Sequence, residues 1–269
     1  MKIGPFTPPD VREAILERQR NPGFPLAPVS ALRLEVAGFH LCIEAHETVP
    51  LNFVEERFLA PFAVHTPARE PDFRVHARRL PARLPIPPDA RPEELSRIGE
   101  DAWDLYSYAA HLRWEPASLD VFLEYHGTLL DAVENLRMFI ALQLIHRGAG
   151  LILHAAAAIQ GDRTYVFLGE SGAGKSTSVA YTPGTLLCDE MAAVLWDAQG
   201  ACVMGTPFGG EHFPNACTGR NPVFFFVEKK PKNARIALSP RNALTRLLSQ
   251  TVMLRHAPMA FWQNTVEML

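Results

Sequence analysis

The stretch "GESGAGKST", Gly169 to Thr177, decides how the second half of this chain is read. Before it runs "TYVFL", short and apolar as a strand should be, and after it the residues suit a helix until Pro183-Gly184 breaks it. A strand, a glycine turn and a helix, in that order, form the setting in which Gly169-x4-Gly174-Lys175-Ser176 reads as a phosphate-binding loop. The glycines let successive backbone N–H groups point inward, and the helix N-terminus behind them adds partial positive charge. The candidate contacts to a nucleoside triphosphate are Gly169, Ser171, Gly172, Ala173, Gly174, Lys175, Ser176 and Thr177. Lys175 has the reach for the β- and γ-phosphates, and the Ser176 hydroxyl is a candidate Mg²⁺ ligand. The G-x-S-x-G around Ser171 belongs to this loop pattern and lacks the flanks of a nucleophile elbow, which excludes hydrolase chemistry there.

The next apolar run, "TLLCDE", ends on Asp189 and Glu190. Mg²⁺ beside a phosphate loop needs an acidic group from the tip of a neighbouring strand, so one of this pair could hold metal while the other accepts a proton from an attacking hydroxyl. Upstream, "LILHAAAAI" reads as a strand that turns at "QGDR" into the strand of the loop. That hairpin brings His154 toward the loop at the sheet edge.

Further out, a hairpin is expected over "AAVLWDAQGACVMG", turning near Gln199-Gly200. A loop "TPFGGEHFPNACTGRN", a fully apolar strand "PVFFFVE" and a helix from about Pro240 to Arg255 follow. Leu129 to Arg147 carries the helical period, with Val133, Leu136, Ile140 and Leu144 on one face and Gly148 and Gly150 as its end. The first half reads as antiparallel and hairpin-rich. Its pieces are "LRLEVAGFHLCIEAH", "DFRVHAR", and two runs, Tyr106 to Trp114 and Leu119 to Tyr125, joined by "EPAS". Eight prolines between Pro61 and Pro92 argue for irregular connections there and against central strands. "PDVREAILERQR" looks like a short helix capped by Asp10 with Glu13 three residues on. The economical architecture is α/β with a β-rich N-terminal portion, residues 1–128, and a second portion, 129–269.

The order of His154, "GESGAGKS" and "LLCDE", with 15 residues from His154 to Gly169, resembles the catalytic domain of bacterial HPr kinase/phosphorylase. That P-loop fold is shared with phosphoenolpyruvate carboxykinases. "VMGTPFGGEHF", "NPVFFFVEK" and the leucine-rich helix are similar to HPr-kinase-like proteins found beside peptide-maturation genes, among them lasso-peptide kinases, which phosphorylate a serine hydroxyl. The likeness spans about Leu151 to Leu248. It implies an HPr-kinase/PEP-carboxykinase-like catalytic domain over 129–269, with Lys175 and Ser176 as phosphate and Mg²⁺ ligands. It further implies Asp189 as catalytic base, Glu190 as metal ligand, His154 as the residue that orients the acidic centre, and Glu211 as a weaker candidate on the acceptor side. The chain departs from HPr kinases at Glu190, where they carry a second Asp. Its 14-residue step from Lys175 to Asp189 is about one helical turn shorter, and it lacks the glycine-rich phosphorylase signature. HPr itself is therefore a poor substrate candidate.

The resemblance implies a kinase using ATP or GTP with Mg²⁺, and as acceptor a hydroxyl, serine foremost, of a peptide, a protein or a small molecule; the unpaired cysteines point to a reducing, cytosolic setting. The opposing expectation is a nucleotide-binding regulatory or assembly module that has lost transfer; Asp189 separates the two. A carboxykinase-like reaction lacks an assignable arginine and metal-ligand set. The relatives usually continue beyond "FWQNTVEML", so this end is expected to mark a truncated product or to leave apolar surface for a homo-oligomer.

Composition sets the outer bounds. The 269 residues are 48% hydrophobic and 20% charged, as in soluble globular proteins. With 26 basic against 29 acidic residues the net charge is −3, so no global field recruits nucleic acid or an anionic membrane. Cys42, Cys188, Cys202 and Cys217 show no paired spacing and read as free thiols of a reducing compartment. The first 20 residues lack the apolar core of a secretory signal, and no run is long enough to span a bilayer. "EKKPK" reads as a solvated turn, and the remaining histidines have no metal-ligand spacing.

Overall fold

The computed structural model describes residues 30–45, 57–64, 69–84, 91–212, 214–232 and 234–269. The expected N-terminal helix at 10–20 lies outside them. Among the described residues the chain forms two compact units. The first is built from 30–34, 39–45 and 64–135, the second from 35–38, 57–63 and 136–269. The class is mixed α/β with two mixed seven-stranded sheets.

The first sheet has the order β1-β2-β3-β7-β6-β5-β4. Its strands are β1 (Ser30–Val36), β2 (Phe39–Ala45), β3 (Phe73–Arg79), β4 (Arg97–Ile98), β5 (Trp103–Tyr106), β6 (Ala110–Trp114) and β7 (Asp120–Tyr125). A short helix α1 (Pro92–Leu95) precedes β4, and α2 (Leu129–Asn135) follows β7. Alternation sorts the faces: Phe73, Val75 and Ala77 of β3 are buried on the same side as Val121, Leu123 and Tyr125 of β7. The opposite side aligns charges, with Arg74 opposite Asp120 and Arg78 opposite Glu124. There His111 is buried with Asp104 3.1 Å from its ring. Burial opposes its protonation, but Asp104 and Glu124 outweigh burial and raise its pKa.

Three expectations change here. The sheet is mixed, since β2 with β3 and β3 with β7 are parallel. After β3 the chain crosses to the far edge at β4 and meanders back through β5 and β6, so β7 arrives beside β3 in the parallel sense. β3 is a central strand inside the proline-rich segment, because the gap between Pro71 and Pro81 is free of proline and holds seven strand residues. The run Tyr106 to Trp114 is the end of one strand and the whole of the next, turning where Ser107 N–H donates to Ala110 O at 2.8 Å.

The second sheet has the order β13-β12-β11-β8-β9-β14, with β10 also paired to β8. Its strands are β8 (Gly150–Gln160), β9 (Arg163–Leu168), β10 (Thr185–Cys188), β11 (Met191–Asp197), β12 (Gly200–Gly205), β13 (Thr218–Arg220) and β14 (Pro222–Phe226). β8 is the axis. Its first half pairs with β11, and its second half lies between β9 and β10. β9 and β10 both run antiparallel to β8, and β14 runs parallel to β9. The C-terminal ends of β9, β10 and β14 therefore point the same way.

The helices of this unit are α3 (Arg137–His146), α4 (Lys175–Ala180), α5 (Pro240–Gln250) and α6 (Met259–Met268). α4 is the crossover from β9 to β10, and Val179 packs on Ala156 and Ala158 of β8, whose small side chains admit the helix. α3 buries Phe139 through Ile145 almost without interruption. Each of its large apolar side chains contributes about 1.5–3 kcal/mol by leaving water. Asn264 of α6 donates to Ile145 O at 3.1 Å, tying α6 to the end of α3.

The helical period over Leu129–Arg147 resolves into two helices that break at Leu136, where the two units divide. The helix expected to reach Arg255 stops at Gln250, because Thr251 bridges Leu153 and Val252 N–H donates to Ile152 O at 2.8 Å. β14 is apolar but only half-buried, as the edge strand of its sheet. No helix among the described residues is long and apolar enough to cross a membrane.

Candidate functional site

β9 ends at Leu168, and the loop to α4 follows at once. Gly169, Gly172 and Gly174 have φ of 148°, 73° and 106°, conformations that L side chains resist. At Gly169 a Cβ would lie 2.7 Å from Val227 O, so close approach also demands glycine there. Within the loop, Ala173 N–H donates to Glu170 O at 3.1 Å, while the amides of Ser171, Gly172 and Gly174 make no hydrogen bond among the described residues. Gly174 caps α4, whose first-turn amides have no carbonyl a turn below them. The result is a ring of backbone donors around one helix N-terminus.

Lys175 is the first residue of α4 and is buried. Its Nζ donates to Gly169 O at 2.9 Å and to Glu170 O at 3.2 Å. Burial lowers the Lys175 pKa, against the pull of the Glu190 carboxylate. Ser176 Oγ lies 3.5 Å from Asp189 O, at the long end of a hydrogen bond, which joins the loop's helix to the end of β10. Thr177 is exposed.

Asp189 and Glu190 fill the step between β10 and β11, and Ala155 N–H donates to Glu190 O at 2.8 Å. The Asp189 side chain is 3% exposed, that of Glu190 43%. Asp189 Oδ2 accepts from the Glu211 amide at 2.9 Å, the His212 amide at 3.3 Å and His212 Nδ1 at 2.9 Å. Asp189 Oδ1 is buried and has no hydrogen-bond partner among the described residues. Gly209 and Gly210, with φ of 72° and 102°, drape over the pair. A Cβ on Gly210 would overlap Asp189 Oδ1, and one on Gly209 would come 3.2 Å from Glu190 Cδ.

His154, in mid β8, faces Glu190 rather than Asp189, with Nε2 4.0 Å from Glu190 Oε1. Burial lowers its pKa, Lys175 adds to the shift, and Glu190 opposes it. Glu211 meets Asp189 through its backbone N–H, and its side chain is exposed. Sequence reasoning missed His212. Its signal was its place directly after "GGE", the glycine pair that had to lie close to something bulky.

Oxygen donors suit Mg²⁺, and Ser176 Oγ and the Glu190 carboxylate supply them beside the first turn of α4. No cluster of three or more His, Cys, Asp or Glu side chains with metal-binding geometry occurs among the described residues. A phosphate-bound Mg²⁺ does not need one, because it keeps waters and phosphate oxygens as ligands. The donor set fits the ion.

Compared with models of protein families and with curated protein sequences, the chain matches none.

Proposed function

We propose that this protein is a Mg²⁺- and nucleotide-dependent kinase of HPr-kinase-like P-loop type, transferring the γ-phosphoryl group of ATP or GTP to a hydroxyl of a peptide, a protein or a small molecule. One observation carries the reading: the glycine loop with its lysine and the acidic pair meet at one end of the second sheet, Ser176 Oγ 3.5 Å from Asp189 O. A glycine turn serving structure alone does not require a buried lysine turned onto its own carbonyls, nor a buried carboxylate with one orphaned oxygen beside it.

In this reading Lys175 leaves the carbonyls of Gly169 and Glu170 for the β- and γ-phosphates, and the loop amides take the remaining phosphate oxygens. Ser176 and Glu190 would hold Mg²⁺, which when bound neutralises charge on those oxygens. Asp189 takes the proton of the acceptor hydroxyl as its oxygen bonds to the γ-phosphorus. The bond from that phosphorus to the bridging oxygen breaks, the nucleoside diphosphate leaves with the electron pair, and Asp189 returns the proton to solvent. His154, whose pKa burial lowers, stands beside Glu190 with Nε2 4.0 Å from Oε1.

A second reading, a nucleotide-sensing module without transfer, draws on the enclosure of Asp189 beneath Gly209–His212. Mg-ATP labelled at the γ-position, mixed with free serine, serine-bearing peptides and a cell lysate, tests the proposal. Label moving onto an acceptor supports a kinase, and label remaining in nucleotide or free phosphate argues for the module.

A further inference from the structure

We infer that His212 is a positioning residue for Asp189, fixing which carboxylate oxygen faces the acceptor; the inference rests on the kinase reading above. A carboxylate on a short side chain rotates about its Cα–Cβ and Cβ–Cγ bonds, so a base at the end of a strand needs something to stop it. Asp189 Oδ2 is held from three directions, by the amides of Glu211 and His212 and by His212 Nδ1, all on the loop that follows β12. Hydrogen bonds to an ionised acceptor are the strong ones, and three at one oxygen leave it little capacity for a fourth. The other oxygen, Oδ1, has no hydrogen-bond partner among the described residues and lies against Gly210. A buried carboxylate oxygen without a donor is costly unless something arrives to use it.

The arrangement divides the labour between the two oxygens. Oδ2 is the anchor, and Oδ1 is the oxygen left to take the proton. His212 is the one side chain in the anchor: its side chain is 45% exposed, while the carboxylate it holds is 3% exposed. Because Nδ1 is the bonded nitrogen, the ring N–H lies on the side nearer the backbone, where an asparagine amide also falls and a glutamine amide does not.

The test compares His212→Ala, His212→Asn and His212→Gln with wild type in steady-state phosphoryl transfer, with thermal melts to establish folding. The Ala variant is expected to lose kcat by about tenfold or more, since a small misplacement of a reacting group is costly, with the nucleotide KM within about twofold of wild type. Asn is expected to restore most of the rate and Gln little of it. An Ala variant with wild-type kcat, a loss that appears in the nucleotide KM instead, or equal recovery by Asn and Gln would each overturn the inference. A wild-type protein with no Asp189-dependent transfer would remove the reaction and this role together. An active wild type whose Ala variant keeps its rate would remove the role alone.

Discussion

Lys175 Nζ donates to Gly169 O across 2.9 Å, so the lysine at the start of α4 closes the loop on its own first residue. Those carbonyls stand in for nothing anionic. A buried ammonium on neutral carbonyls has more to gain from a phosphate than one already paired with a carboxylate. Lys175→Ala should therefore weaken Mg-ATP binding or turnover by at least about a hundredfold, with the fold retained. Calorimetric titration together with circular dichroism checks both halves.

Gly210 is predicted to be irreplaceable for two independent reasons. Its φ of 102° costs an L residue about 1–2 kcal/mol, and its Cβ would overlap Asp189 Oδ1. Gly210→Ala should lower the melting temperature and transfer together. By contrast Gly161, in the turn between β8 and β9, has φ 62° and open space where a Cβ would go. Gly161→Asn should stay within about 0.5 kcal/mol of wild type in a denaturant titration.

Burial first, then Lys175, lower the His154 pKa, while Glu190 raises it. An NMR titration of its ring should give a midpoint below the usual 6.5. Lys175→Met should move that midpoint up and Glu190→Gln should move it down. The sign for stability follows from the same shift. A histidine whose folded pKa is depressed favours the fold while neutral, so its contribution is present above pH 6.5 and fades as pH falls toward the folded pKa. A midpoint that ignores both neighbours would place His154 away from the acidic step.

Burial, with the neighbouring Asp189 charge, pushes the Cys188 thiol up to about 12, and Cys42 and Cys202 are also buried. Cys217 is exposed. Since the thiolate is the reactive form, a thiol reagent at pH 8 should label Cys217 quickly and Cys188 only after unfolding. Mass spectrometry of the labelled protein reads this directly, and rapid native labelling of Cys188 would contradict the burial of β10.

Much of the second sheet was legible because its signals are local. "TYVFL" followed by the glycine loop could only be a strand entering a helix, and "LILHAAAAI" had both the length and the small side chains of a central strand beneath helices. The chemistry of Mg²⁺ placed Asp189 beside the loop, but the pairing that brings it there, with β9 and β10 both antiparallel to β8, left no local signal. The sense of the first sheet was not legible either, since whether β7 lands beside β3 depends on a long crossover and leaves no local trace. The break at Leu136 also hid, because both helices carry the same apolar period across it. His154 was expected to orient the acidic centre, and it stands beside Glu190; the residue that holds Asp189 is His212. Its contact spans 23 positions and is set by a loop return that periodicity cannot foretell.

Whether Asp189 is the base of a phosphoryl transfer is tested by γ-phosphoryl transfer by Asp189→Asn against wild type, with nucleotide binding measured in the same samples. Asparagine nearly matches the shape of the carboxylate but cannot take a proton at neutral pH. Asp189→Asn is expected to keep Mg-ATP affinity within a few fold of wild type and to transfer phosphate about a hundredfold more slowly or worse. Equal transfer by the two proteins, or nucleotide binding with no transfer by either, would contradict it.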